Sequence, residues 1–146
     1  MTEDGLTDAD HQALSRLVVE SLWRVDHDQG GTVHELFTDD GEIWYEGELF
    51  CSGRDAIKAW GLQRLESIRH LAANIRFEAD GADRAVGGAV EIVFFDNTPE
   101  RELGTTLPLT VGEWSFRCVK TADGWRFASI DARRLFDRRD APPDLF

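Results

Sequence analysis

Asp26 and His70 are the pair of residues in this chain whose types suit proton transfer. Asp26 lies four residues after Leu22 and eight after Val18, so on a helix it borders the apolar stripe those residues define. A carboxylate at that border points inward at the end of a helix, where the dipole gives it no support. It reads either as the start of a post-helix turn with Asp28 or as the orienting partner of an interior histidine. His70 is the candidate histidine, sharing one face of a predicted strand with Asn74 and Arg76. If that face is solvent, His70 is an ordinary surface residue. If it is the inner face, a carboxylate beside it fixes its tautomer and raises its basicity, which suits proton abstraction near neutral pH.

Further polar and aromatic residues flank this pair in the reading. Glu91 is embedded among Val90, Ile92 and Val93, so it either faces water on a one-sided sheet or is an interior acid. Trp44 and Tyr45 are adjacent, so only one of them faces inward on a strand. Trp114, Phe116 and Cys118 alternate on one face that lines a core or a pocket, with Lys120 closing the alternation.

The elements that must position these residues are legible from periodicity. Three hydroxyl–acid pairs mark helix starts: Thr7 with Asp10, Thr32 with Glu35, and Ser52 with Asp55. The first helix is predicted over 8–27, with Leu14, Leu17, Val18, Ser21, Leu22 and Val25 on one stripe, and stops at Gly30–Gly31. A short helix over 33–37 ends at an Asp39-Asp40-Gly41 turn. Residues 42–51 form two short strands bent at Gly47, and a third helix covers 54–68. From Arg69 the period becomes two, with Leu71, Ala73, Ile75 and Phe77 on the apolar face opposite His70, Asn74 and Arg76. Strands over 84–95, 109–120 and 125–134 follow, the last two joined by an Asp123-Gly124 turn. Helices first and an antiparallel meander afterwards describe an α+β domain. Glycines such as Gly87 and Gly88 let the sheet curve into a cone closed by helices.

Composition excludes several classes of function. The 146 residues carry 16 basic and 28 acidic side chains, a formal charge of −12, which argues against nucleic acid or anionic membrane as a partner. No apolar run is long enough to span a membrane, and the acidic N-terminus is unlike a signal peptide. Cys51 and Cys118 are the only cysteines and lie in different strands, so the expectation is a reducing, cytoplasmic setting. One domain over 1–146 is expected, with a core over 8–136 and a C-terminal arm over 137–146. His34-Glu35 lacks a second histidine four residues on, and His11 and His27 have no ligand-spaced partner, so no metal site is expected. No phosphate-binding loop, dinucleotide fingerprint or nucleophile elbow occurs, and the chemistry is expected to be free of cofactors.

Three stretches then resemble the cone-shaped nuclear-transport-factor-2-like superfamily, particularly its SnoaL-like branch. They are VDHDQGG followed by HELFTDDGEIWYEG, then GRDAIKAW, and then RHLAANIRFEADGADRAVGGA with the closing DGWRFASI. Members of this branch such as scytalone dehydratase, bile-acid 7α-dehydratase and hexachlorocyclohexane dehydrochlorinase use an interior aspartate–histidine dyad as general base. Asp26 and His70 fall on those two motif positions. The resemblance implies a cofactor-independent lyase or isomerase acting on a small hydrophobic molecule, with Asp26 and His70 catalytic and Tyr45, Glu91 and Trp114 in the substrate pocket. It also implies a homodimer or homotrimer. The helix tyrosine of the dehydratases is absent here, and Tyr45 is the only tyrosine in the chain. Lys120 and Arg117 are the nearest counterparts of the dehydrochlorinase's late arginine, and neither matches it. The same fold also serves non-catalytic binding or assembly proteins and the small subunit of ring-hydroxylating dioxygenases, so fold alone does not choose the function.

Overall fold

Two layers, a helical one and a curved six-stranded sheet, make up the computed structural model, which describes residues 5–63, 68–95 and 107–139. Helix α1 (Asp8–Asp26) is followed by a 3-10 helix (Gly30–Leu36), strands β1 (Phe37–Tyr45) and β2 (Glu48–Ser52), and helix α2 (Arg54–Gly61). The remaining strands are β3 (Ile68–Ala79), β4 (Arg84–Phe95), β5 (Thr110–Thr121) and β6 (Gly124–Asp137). The sheet order is β2-β1-β6-β5-β4-β3, antiparallel throughout except for the parallel β1–β6 pair. This is the α+β, mainly antiparallel cone that the sequence predicts. Among the described residues, no helix is long and apolar enough to cross a membrane.

Helix α1 begins with a full capping box in which the Thr7 side chain accepts from the Asp10 amide and Asp10 bonds back to Thr7. The other two expected caps do not form. The 3-10 helix follows Gln29 without a side-chain cap, and α2 starts after Gly53, whose positive φ makes the turn. Thr32 instead donates its hydroxyl to the Gln29 carbonyl. Asp39, Asp40 and Gly41 do not turn the chain but run within β1. The predicted third helix is also too long: α2 ends at Gly61, and Ile68 opens β3. Residues 64–67 of that prediction lie outside the described residues, as do residues 96–106 and 140–146 of the expected arm.

Leu14, Val18 and Ile57 from the helices meet the ring stack Phe77–Phe116–Phe127–Phe37 on the sheet, with centroids 5.2–5.8 Å apart. Gly87 faces Phe77 across the β3–β4 pair, and a Cβ there would meet that ring at 2.4 Å, so only glycine lets Phe77 lie flat.

A β-bulge decides which face His70 takes. Ala73 pairs with Val90 while Arg76 pairs with Gly88, so β3 carries one residue more than β4 between these pairs. Asn74 absorbs it with φ +53°. A regular strand would put residues 70 and 77 on opposite faces. With the bulge, His70 and Ala72 share the inner face with Ile75 and Phe77, and Leu71 is turned outward and 52% exposed. The unbroken apolar face through Leu71, Ala73, Ile75 and Phe77 is therefore corrected. Its first half and second half face opposite sides.

Candidate active site

The end of α1 and the start of β3 bring the acid and the imidazole together. Leu14, Leu17, Val18, Ser21, Leu22 and Asp26 are the buried residues of α1, so Asp26 ends the stripe instead of leaving it for a solvent turn. Its Oδ2 accepts the His70 backbone N–H at 2.7 Å, and its Oδ1 lies 2.5 Å from His70 Nδ1. A carboxylate only accepts, so Nδ1 carries the hydrogen and Nε2 is left as the basic atom. Arg69 reinforces the junction by donating to the Asp26 carbonyl at 3.2 Å and the Ile68 carbonyl at 2.7 Å. The side chains of His70 and Asp26 are 6% and 5% exposed, so their bond is shielded from water. Burial pulls the His70 pKa down, but the Asp26 hydrogen bond and the charges of Glu91 and Asp26 outweigh it and leave it above the ordinary value.

Glu91 is the third buried member of this group. It pairs with Ala72, one step along the inner face from the His70–Val93 pair. Its Oε1 lies 3.7 Å from His70 Nε2, too far for a hydrogen bond, and has no partner among the described residues. Burial pushes its pKa up to about 8, against the opposing pull of His70 and of a Trp114 hydrogen bond. Of the two environments the sequence allows for Glu91, the interior one is found.

These groups border a cavity of about 280 Å³ between helices and sheet. His70, Tyr45 and Trp114 line it, with Leu22, Val25, Val33, Ile43, Trp60 and Val93 among its apolar walls. Asp26 and Glu91 are not among the lining residues, but Asp26 bonds His70 and Glu91 bonds Trp114, both of which line the cavity. Gly30 and Gly61 close one wall by direct backbone contact, since a Cβ on either would come within 2.0 Å of the other's carbonyl oxygen. Tyr45 has the Arg134 guanidinium 5.6 Å above its ring, and burial, the leading influence, raises its pKa although Arg134 opposes this.

The two late basic residues named from sequence lie elsewhere. Lys120 Nζ bonds Asp10 at 2.8 Å, where Trp125 Nε1 also donates at 2.9 Å, and Arg117 lines a groove on the outer face of the sheet. Arg134 and Thr110 are the site-adjacent polar residues that sequence reasoning missed. No local pattern marks Arg134, because its approach to Tyr45 follows from the parallel pairing of Tyr45 with Ala132. Cys51 and Cys118 are free, buried thiols, and burial lifts Cys118 to about 12, so neither is a ready nucleophile. Among the described residues no group of three His, Cys, Asp or Glu side chains is arranged to hold a metal ion.

The model of the SnoaL-like domain matches residues 8–131, a span that includes Asp26, His70, Glu91 and the whole helical layer. The chain belongs to this family. Solved structures share the fold. A scytalone dehydratase-like protein from Novosphingobium aromaticivorans superposes with TM-score 0.72 at 21% identity, covering 100% of this chain and 99% of its own. Hexachlorocyclohexane dehydrochlorinase LinA-type3 from Novosphingobium barchaimii gives 0.71 at 17% identity, covering 87% of each chain. A protein of unknown function from Mycobacterium tuberculosis gives 0.73 at 22%, covering 89% and 74%. No curated protein matches the sequence. At these identities the similarity establishes the fold, and the chemistry rests on the site itself.

Proposed function

We propose that this SnoaL-like protein is a cofactor-independent lyase or isomerase of the dehydratase type. His70 Nε2 takes a carbon-bound proton from a small hydrophobic molecule in the cone, and Asp26 holds the imidazole in the reactive tautomer and balances the imidazolium that forms. The observation that carries this reading is the pair of bonds from Asp26 to the His70 ring and backbone N–H beside an apolar cavity that His70 lines. Trp114 and Tyr45 contact the substrate. The Tyr45 phenol, with an ordinary pKa of 10.0 that burial raises further, carries its proton at neutral pH and is the donor available to a departing group. Glu91 acts through His70, as a buried acid beside Nε2, and does not touch substrate.

The relatives supply the first probes. Scytalone and γ-hexachlorocyclohexane, with a panel of one- and two-ring carbon acids, are incubated with the protein in D2O and followed by NMR for elimination or deuterium uptake at carbon. The reading expects at least one probe to react, and His70→Ala and Asp26→Asn each to slow it by roughly 10²–10⁴-fold while the fold persists. Failure of the whole panel, or full turnover by either variant, would overturn it in favour of a binding or assembly role.

A further inference from the structure

The walls of the cavity combine aromatic rings with charge of one sign. Trp60 of α2, Trp114 of β5 and Tyr45 of β1 line it from three elements. A hydrogen bond to Glu91 fixes Trp114, and the Tyr45 ring already has the Arg134 guanidinium 5.6 Å over it. Ring faces are electron-rich and attract a cation within about 6 Å of the centroid. Among the described residues of the lining none is lysine or arginine, and Asp28, Tyr45 and His70 are the ionisable ones. Arg69, the residue before His70, is outside the lining and donates to the Asp26 and Ile68 carbonyls.

Two buried carboxyl groups add to this field, although neither lines the cavity. Asp26 Oδ1 lies 2.5 Å from His70 Nδ1, and Glu91 Oε1 lies 3.7 Å from Nε2. Together they hold the His70 pKa above its ordinary value in spite of burial, so the surroundings of the ring favour positive charge. With its hydrogen on Nδ1, neutral His70 adds the Nε2 lone pair to the same side. Apolar walls screen such charges weakly. A cation in the cavity and a second proton on His70 therefore compete for one field. Glu91, whose pKa burial lifts to about 8, strengthens that field as it ionises.

We propose that the cavity takes a lipophilic cation, a tertiary or quaternary ammonium group on a small ring system, with its nitrogen against Trp60 and Trp114 and the adjoining carbons facing His70. As a substrate class this rests on the general-base reading above; as a bound ligand it rests on the walls alone. Carbons bonded to an ammonium nitrogen carry much of its charge, so their C–H bonds are the ones drawn to the Nε2 lone pair. The volume of about 280 Å³ lies at the small end of the range for ligand pockets, which suits one or two rings. The net charge of −12 draws cations of every kind toward the protein, and the aromatic cavity selects those with an apolar body.

Phenyltrimethylammonium and its uncharged isostere tert-butylbenzene isolate the charge, since they share a shape and neither titrates. Binding is read by quenching of tryptophan fluorescence at low and high salt, from about pH 6 to about pH 9. Above the His70 titration the wild type should bind the ammonium about tenfold more tightly than the isostere. The preference should shrink toward pH 6 as His70 gains its second proton, while tert-butylbenzene binding stays level. Glu91→Gln should flatten the rise near pH 8. Trp60→Leu, which keeps an apolar side chain without the ring face, should lose about threefold or more of the preference, and Trp60→Phe should fall between. Equal affinity for the two probes, binding of neither, a preference abolished by high salt, or one unchanged in both Trp60 variants would overturn the proposal. The D2O assay of the general base is run alongside. A Trp60-dependent preference with no reaction of any carbon acid supports the ligand class and tells against His70 as base. Reaction of an uncharged carbon acid without a preference for the cation removes the ligand class alone.

Discussion

Replacing Glu91 with Gln should make the protein more stable, and only at the higher end of its pH range. The carboxyl is buried with one oxygen unpartnered, and its pKa is pushed from 4.5 up to about 8. The folded state therefore keeps a proton that the unfolded chain releases above 4.5. The resulting stability is fully present below 4.5 and is lost as pH rises toward about 8. Near pH 7 the loss is about 3 kcal/mol, taking 1.36 kcal/mol for each pH step between the ordinary value and neutrality. Glutamine has the same shape and does not ionise, so Glu91→Gln should exceed wild type by up to about 3 kcal/mol near pH 7 and match it near pH 4.5. His70 has a raised pKa of the same sign, and the Asp26 hydrogen bond and charge that hold it up remain when Glu91 is replaced, so the variant keeps a shallower downward slope as pH rises past the ordinary histidine value. Urea unfolding curves at several pH values between about 4.5 and 8, followed by tryptophan fluorescence, measure the difference. Parallel pH profiles, or a variant less stable than wild type near pH 7, would refute the reasoning.

Other perturbations have equally definite outcomes. Gly61→Ala places a methyl against the Gly30 carbonyl and should destabilise by about 1–3 kcal/mol while lowering affinity for any cavity ligand, as read by denaturation and probe binding. Asn74→Val forces a branched residue into positive φ and should cost at least about 1–2 kcal/mol, whereas Asn74→Gly should be tolerated in the same unfolding assay. Thr7→Ala removes the capping box of α1 and should cost about 1 kcal/mol, measured by thermal or urea unfolding, without changing turnover.

The sequence exposes the helix stripe ending at Asp26, the strand signals and the Asp123-Gly124 turn, because each is written in local periodicity or turn chemistry. It does not expose the bulge at Asn74. Alternation alone assigns Leu71 to the face of Phe77, and only the paired strand shows where one residue is extra. For the same reason periodicity left the face of His70 open, and the motif resemblance was what favoured the interior. Two of the three predicted caps fail because glutamine and glycine already turn the chain before Thr32 and after Ser52. Thr110 gave no signal, since a threonine opening a strand is common and its unpartnered hydroxyl is a property of the packed wall. Arg134 was likewise hidden, because its approach to Tyr45 depends on the parallel β1–β6 pairing, which no local pattern encodes.

The central claim is that Asp26 fixes the His70 hydrogen on Nδ1 and leaves Nε2 as a base. Nitrogen-15 NMR of the histidine rings, recorded as pH is raised through the His70 titration, reads this without any substrate. The account predicts a neutral His70 with protonated Nδ1 and bare Nε2, titrating above the ordinary histidine range, and loss of both features in Asp26→Asn. A neutral His70 with its hydrogen on Nε2, or a tautomer unchanged in Asp26→Asn, would contradict it.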